Sequence, residues 1–166
     1  FVALKEHFAG RAWGEWPVAV RDREQEPLEN CAAKLAERIL REKFLQYVFD
    51  RQWKRFKDCC RARHVQVIGD IPFYVTYDSA DTWSNPGLFK LDEQKRPTAV
   101  AGVPPDLFSE TGQLWGNPVY RWEAHREERF SWWESRIERA LALLNRLRLD
   151  HFRGFVQYWE VPAGAA

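Results

Sequence analysis

A helical pattern followed by a short apolar run occurs twice in this chain, and that repetition constrains the fold more than any other feature. The first helical pattern covers about Leu28 to Arg61. Leu35, Ile39, Leu40, Phe44, Tyr47, Val48, Phe49, Trp53 and Phe56 recur at three- and four-residue steps and form one apolar stripe. HVQVIGDIPFYV (64–75) follows. Val65, Val67 and Ile68 predict a buried strand of about five residues, broken by Gly69 and Pro72, with Asp70 at its end. The second helical pattern covers about Glu127 to Arg146, with Phe130, Trp133, Ile137, Leu141, Leu144 and Leu147 on one face. LRLDHF (147–152) is the second predicted strand. Helix and strand alternating in this way predict an α/β fold with a parallel sheet and right-handed crossovers.

Between the two units, residues 76–127 lack periodicity and are dense in turn residues: SNPG at 84–87, GVPP at 102–105, TG at 111–112 and GNP at 116–118. An irregular stretch of about 50 residues far exceeds an ordinary connection, and such loops are usually functional or disordered. Its Phe and Trp content argues against disorder. It reads as an ordered excursion over a site. At the other end of the chain, residues 1–9 read as the end of a helix stopped by Gly10, with WGEWP as a loop.

Composition excludes several function classes. A 166-residue chain that is 45% hydrophobic and 30% charged has the balance of one globular domain. A net charge of +1 implies neither a nucleic-acid partner nor an acidic membrane surface. No run of 18 apolar residues predicts a transmembrane helix, and FVALKEHFAG lacks the layout of a secretory signal. Cys31, Cys59 and Cys60 are odd in number and include an adjacent pair, which fits a reducing, cytoplasmic setting rather than a disulfide framework. No spaced Cys/His cluster suggests a metal, and no motif suggests a cofactor. The chain has no methionine and opens inside a helical pattern, so it is expected to be a segment of a longer protein. Of the nine tryptophans, most are expected in the core and a few along a groove for a ligand with apolar faces, such as a sugar ring.

Functional groups in α/β folds gather at strand C-termini, and Asp70 and Asp150 each end a predicted strand. Two carboxylates on neighbouring strand ends suit glycoside chemistry, while either alone is equally a helix cap or turn former. Arg148 precedes Asp150 by two, so the two side chains should project together. A guanidinium keeps a carboxylate ionised, as a nucleophile requires, but a structural ion pair has the same pattern. His151 should point the other way if the strand stays regular. His7, His64 and His125 have no partner spacing and read as structural or exposed.

GVPPDLFSETGQLWGNPVYRW (102–122) resembles the active-site loop of amylomaltases, the 4-alpha-glucanotransferases of the alpha-amylase clan. LRLDHFRGF (147–155) with YWEVPAG resembles their nucleophile strand, and IGDIPFYVTYDSADTWSNPGLF (68–89) their preceding strand and loop. ALKEHFAGRAWGEWP (3–17) resembles the sequence upstream, so the likeness runs through nearly the whole chain in order.

The resemblance implies a partial (β/α)8 TIM barrel, with 1–166 an internal piece of the catalytic domain containing about strands 3 and 4, flanking helices and a lid insert at about 76–127. It implies Asp150 as the nucleophile, Arg148 as the arginine that positions it, and Asp70 as a sugar ligand beside the cleaved bond. It gives His151 a supporting place. Asp106, Phe108, Gln113 and Trp115 fall in the lid over the groove, with Trp115 bordering the acceptor. Leu107 departs from the pattern, since many members carry an aromatic there. The implied partners are maltooligosaccharides and other alpha-1,4-glucans. Retaining transfer also needs an acid/base carboxyl about 5–5.5 Å from the nucleophile. The family's glutamate for that role has no counterpart in this sequence, so the chain alone is expected to be inactive. An alpha-amylase-like hydrolase, a noncatalytic glucan-binding module and a metal-dependent hydrolase using Asp70, Asp150 and His151 are the competing readings.

Overall fold

The computed structural model describes residues 1–107 and 109–165. Helix α1 spans Val2–His7, and Gly10, left-handed at φ 78°, closes it by donating its N–H to the Lys5 carbonyl at 2.8 Å. A 3-10 turn at Trp13–Glu15 leads to α2 (Val18–Arg21). The first long helix of the sequence pattern is divided into α3 (Gln25–Lys34) and α4 (Ala36–Ala62). Leu35 lies between them at φ −105°, ψ 15°, buried in a core with Ala3, Leu4, Trp13, Trp16, Val20 and Trp83. The apolar stripe beyond it is largely exposed: Leu40, Phe44 and Tyr47 are more than half open to solvent, and Phe49 and Phe56 are about half open, flanking Trp53.

Strand β1 (Ile68–Ile71) and strand β4 (Arg146–Leu149) pair in parallel, with Asp70 opposite Arg148 and Ile71 opposite Leu149. This parallel pair is the expected β–α–β product. The strands are shifted and shorter than expected, however, and β1 buries only Ile71. Gly69 lies inside β1 rather than ending it. A Cβ there would come within 2.2 Å of the Leu144 side chain, so the glycine lets Leu144, two residues before β4, press against the strand. β4 stops at Leu149 because His151 takes a left-handed backbone (φ 46°) and opens a 3-10 turn at Phe152–Phe155.

The excursion is more regular than its sequence suggests. It holds α5 (Ala80–Ser84), β2 (Ala99–Val103) and β3 (Gln113–Pro118). β2 pairs antiparallel with both β3 and β5 (Trp159–Pro162), so the segment after Asp150 forms an outer strand of the excursion's own sheet. The second expected helix is α7 (Ser131–Leu143), shorter at both ends than the pattern predicts; a short α6 (Trp122–Glu127) precedes it, and left-handed Arg129 and Phe130 separate the two. Phe73, Tyr74, Leu88, Phe89, Tyr120 and Trp133 form the core between this sheet and the helices, with Trp122, Trp132 and Tyr158 packed on it. His125 is enclosed there by Tyr120, Trp122 and Trp132, in line with a structural role.

Candidate active site

The strand register brings three charged groups together. Residues directly opposite in a sheet share a face, as do residues two apart on one strand. Asp70, Arg148 and Asp150 therefore project to the same side at the C-terminal ends of β1 and β4. The Asp150 N–H extends the ladder to the Ile71 carbonyl at 3.1 Å. Arg148 then bridges the two acids: Nη1 donates to Asp70 Oδ2, and Nη2 donates to Asp150 Oδ1 at 2.6 Å. All three side chains keep more than half of their surface open to solvent. The arrangement holds a carboxylate by one guanidinium and leaves its other oxygen available.

Beside Asp150 lies a cleft of about 250 Å³ lined by Pro72, Phe73, Tyr74, Trp115, Asn117, Asp150 and His151. The left-handed turn at His151 breaks strand alternation, so His151 shares the cleft with Asp150 instead of pointing away. Its ring meets Trp115 edge to face at 5.2 Å and lies 6.1 Å from Tyr74. Trp115 Nε1 donates to Gln113 Oε1 at 2.9 Å, which ties the indole along β3. Asn117 Nδ2 donates to the Val75 carbonyl at 3.0 Å and fastens β3 to the segment after β1.

Asp106 lies apart from this cleft. Its backbone and Oδ1 close a turn with Ser109, and the loop tip at Leu107 is fully exposed. Phe108, the remaining expected lid residue, lies outside the described residues. Tyr74 and Asn117 were missed by the sequence reading. The signal for Tyr74 was its place just past a strand end that already carried Asp70. Its hydroxyl is buried without a hydrogen-bond partner among the described residues, and burial pushes its pKa up, so it stays a neutral donor. Among the described residues no group of three or more His, Cys, Asp or Glu side chains could hold a metal ion, and no helix is long and apolar enough to cross a membrane.

A sequence family described as 4-alpha-glucanotransferase matches residues 1–166. The chain belongs to the 4-alpha-glucanotransferase family. It is 51% identical over 164 residues to the 4-alpha-glucanotransferase of Aquifex aeolicus, covering 99% of this chain and 34% of that protein. The Thermus thermophilus 4-alpha-glucanotransferase is 50% identical over 163 residues, with 98% of this chain and 33% of the relative covered. A chloroplastic/amyloplastic relative in Arabidopsis thaliana is 43% identical, over 99% of this chain and 29% of its own length. A solved amylomaltase from Streptococcus agalactiae, in complex with acarbose, matches with a TM-score of 0.95 at 45% identity, across 99% of this chain and 34% of that one. The chain thus spans about a third of the length of the 4-alpha-glucanotransferases it matches.

Proposed function

We propose that this chain carries the nucleophile side of an alpha-1,4-glucan transferase site, on two neighbouring strands of a (β/α)8 barrel. The observation that supports it most is the Arg148 guanidinium shared between Asp70 and Asp150 at paired strand ends. Asp150 attacks the anomeric carbon and forms a glycosyl ester, with Arg148 holding its second oxygen in line. Asp70 accepts hydrogen bonds from hydroxyls of the sugar being transferred. A glucan hydroxyl then displaces Asp150, so configuration is retained. Trp115 and His151 cover the cleft and offer apolar surface to a sugar ring, favouring attack by an acceptor sugar over water. Asp106 acts further out, on the lid, and Phe108 is assigned to the same loop by its place in the sequence.

The proton donor for the leaving oxygen is a separate group. Asp70 and Asp150 are both tied to Arg148, and Glu160 is paired with Lys90 Nζ at 2.6 Å. The 166-residue chain alone therefore binds glucan without turning it over. The free thiols Cys31, Cys59 and Cys60 fit a reducing compartment such as the cytoplasm.

The test uses a protein that carries this chain, supplied with maltotriose. Glucose plus longer maltodextrins are expected, and Asp150→Asn should abolish them while maltooligosaccharides still change tryptophan emission. Transfer that survives Asp150→Asn refutes the nucleophile role. Glucose and maltose without longer products would make the reaction a hydrolysis. Binding without turnover by the unsubstituted protein would leave only a glucan-binding module.

A further inference from the structure

A cavity of about 270 Å³ lies at the opposite end of β1 and β4 from Asp70 and Asp150. Lys57, Arg61, His64, Val65, Gln66 and Asn145 line it. Lys57 and Arg61 come from the end of α4, His64 and Gln66 from the segment before β1, and Asn145 from the position just before β4. Every polar side chain in that lining can donate a hydrogen bond, and none is a carboxylate. We propose that the cavity is a binding site for phosphate, either free or as a small phosphomonoester.

The donors are largely uncommitted. The His64 and Gln66 side chains have no hydrogen-bond partner among the described residues. Asn145 Oδ1 accepts the Val67 N–H at 3.0 Å, which leaves its Nδ2 free to donate. Arg61 gives Nη1 to Asp58 Oδ1 at 3.1 Å, and Lys57 Nζ makes one long contact, 3.4 Å, to the Ala142 carbonyl. Lysine and arginine near a helix C-terminus ordinarily complement its carbonyls. Here those carbonyls have other donors. Arg63 Nη1 donates to the Cys59 carbonyl, the Arg63 and Val65 N–H groups to Cys60, and the His64 N–H to Arg61. At the end of α7, Trp53 Nε1 donates to the Leu143 carbonyl at 2.7 Å. The charges do not cancel either. Asp58 is shared between Lys54 and Arg61, at 3.2 and 3.1 Å, and Lys57 has no carboxylate partner among the described residues. That surplus suits a phosphate, which carries about −1.5 to −2 at pH 7. A tetrahedral phosphate also accepts from several directions at once, as a guanidinium, an ammonium and amides lining one cavity require. The volume falls just under the ~300–1,000 Å³ of sites for drug-sized ligands, which favours a small ester over a nucleotide.

The site is separate from the Asp150 cleft and stands or falls apart from the glucan reading. Its test is a titration of the full chain at constant neutral pH and ionic strength, balanced with chloride and read by the histidine ring signals in NMR. His64→Gln assigns the His64 signals. Those signals should shift saturably with inorganic phosphate and with glycerol 3-phosphate, while those of His7, His125 and His151 stay in place. Tighter binding of the ester makes the ligand a phosphomonoester, equal binding makes it the phosphate group alone, and either supports the site. Glutamine is a good helix former, so Lys57→Gln and Arg61→Gln should fold, and each should weaken binding roughly three- to tenfold. Lys54→Gln removes a positive charge outside the cavity and should change affinity less than about twofold. Shifts that stay linear in phosphate, that chloride reproduces, or that persist unchanged in the Lys57→Gln/Arg61→Gln double variant overturn the proposal. So does a loss in Lys54→Gln as large as that in Arg61→Gln, which would make the attraction one of diffuse surface charge.

Discussion

Gly154→Ala tests how the site is held in place. Gly154 is buried in the 3-10 turn just after Asp150 and His151, and its N–H donates to the His151 carbonyl at 2.8 Å. An added Cβ would stand 2.6 Å from Phe73 Cε1 and 2.8 Å from Cδ1 and Cζ. Carbon atoms rest at about 3.5–4.0 Å, so the overlap is about 1 Å. The Phe73 ring has little room to retreat, with Tyr74 at 4.7 Å, Phe155 at 4.9 Å, Tyr120 at 5.3 Å and Trp133 at 5.8 Å between ring centroids. Overpacking of this kind costs about 1–3 kcal/mol. With a urea slope of about 1–3 kcal/mol/M, the unfolding midpoint read by tryptophan fluorescence should fall by about 1 M. Phe73→Leu removes ring atoms that meet the methyl, so Gly154→Ala should cost far less in that background. The double-mutant cycle should return a coupling of at least about 1 kcal/mol. A Gly154→Ala midpoint equal to wild type, or strictly additive substitutions, would refute the claim that the turn bearing His151 is seated on Phe73.

Two further outcomes follow from charge. Arg148→Met removes both ion pairs, yet because all three groups are more than half exposed, stability measured by urea unfolding should change by less than about 1 kcal/mol; a loss of several kcal/mol would assign the arginine a structural role. Burial among aromatic rings pushes the His125 pKa down, opposed in part by the Leu88 carbonyl, so the folded chain prefers neutral imidazole. Above the ordinary histidine pKa of about 6.5 both states are neutral and nothing is gained; below it the unfolded chain takes up the proton first. Stability should therefore fall as pH drops from 7 to 5, and His125→Phe should flatten that slope in urea titrations at each pH.

The sequence was most legible where a local rule acts alone. Strand ends at Asp70 and Asp150, the i, i+2 projection of Arg148 and the alternation of helix with parallel strand all follow from backbone periodicity, and the structure has each of them. It was least legible where a tertiary contact overrides a local pattern. Gly69 reads as a strand breaker but lies within β1, because Leu144 occupies the space a side chain would take. His151 reads as facing away from Asp150 but shares its cleft, because the strand ends at Leu149, three positions early, and His151 takes a left-handed backbone. The excursion reads as irregular because β2 and β3 are short and turn-flanked. Their pairing is completed by β5, which lies far along the chain, beyond any local window.

These contacts divide the labour between scaffold and site. Exposed ion pairs contribute little stability, so Arg148 cannot be what holds β1 against β4. The order runs the other way. The backbone ladder from Asp70 opposite Arg148 to the Asp150 N–H on Ile71 fixes the register, and the register delivers the guanidinium to both acids. A one-residue slip would move Arg148 to the opposite face from Asp70 and break the bridge. The aromatic core does the remaining work. Phe73 lies two residues past β1 and touches both the turn after Asp150 and the core under β2 and β3. One buried ring therefore sets the position of the segment carrying Asp150 relative to β2 and β3, and a charged triad open to solvent can be held together without having to stabilise the fold.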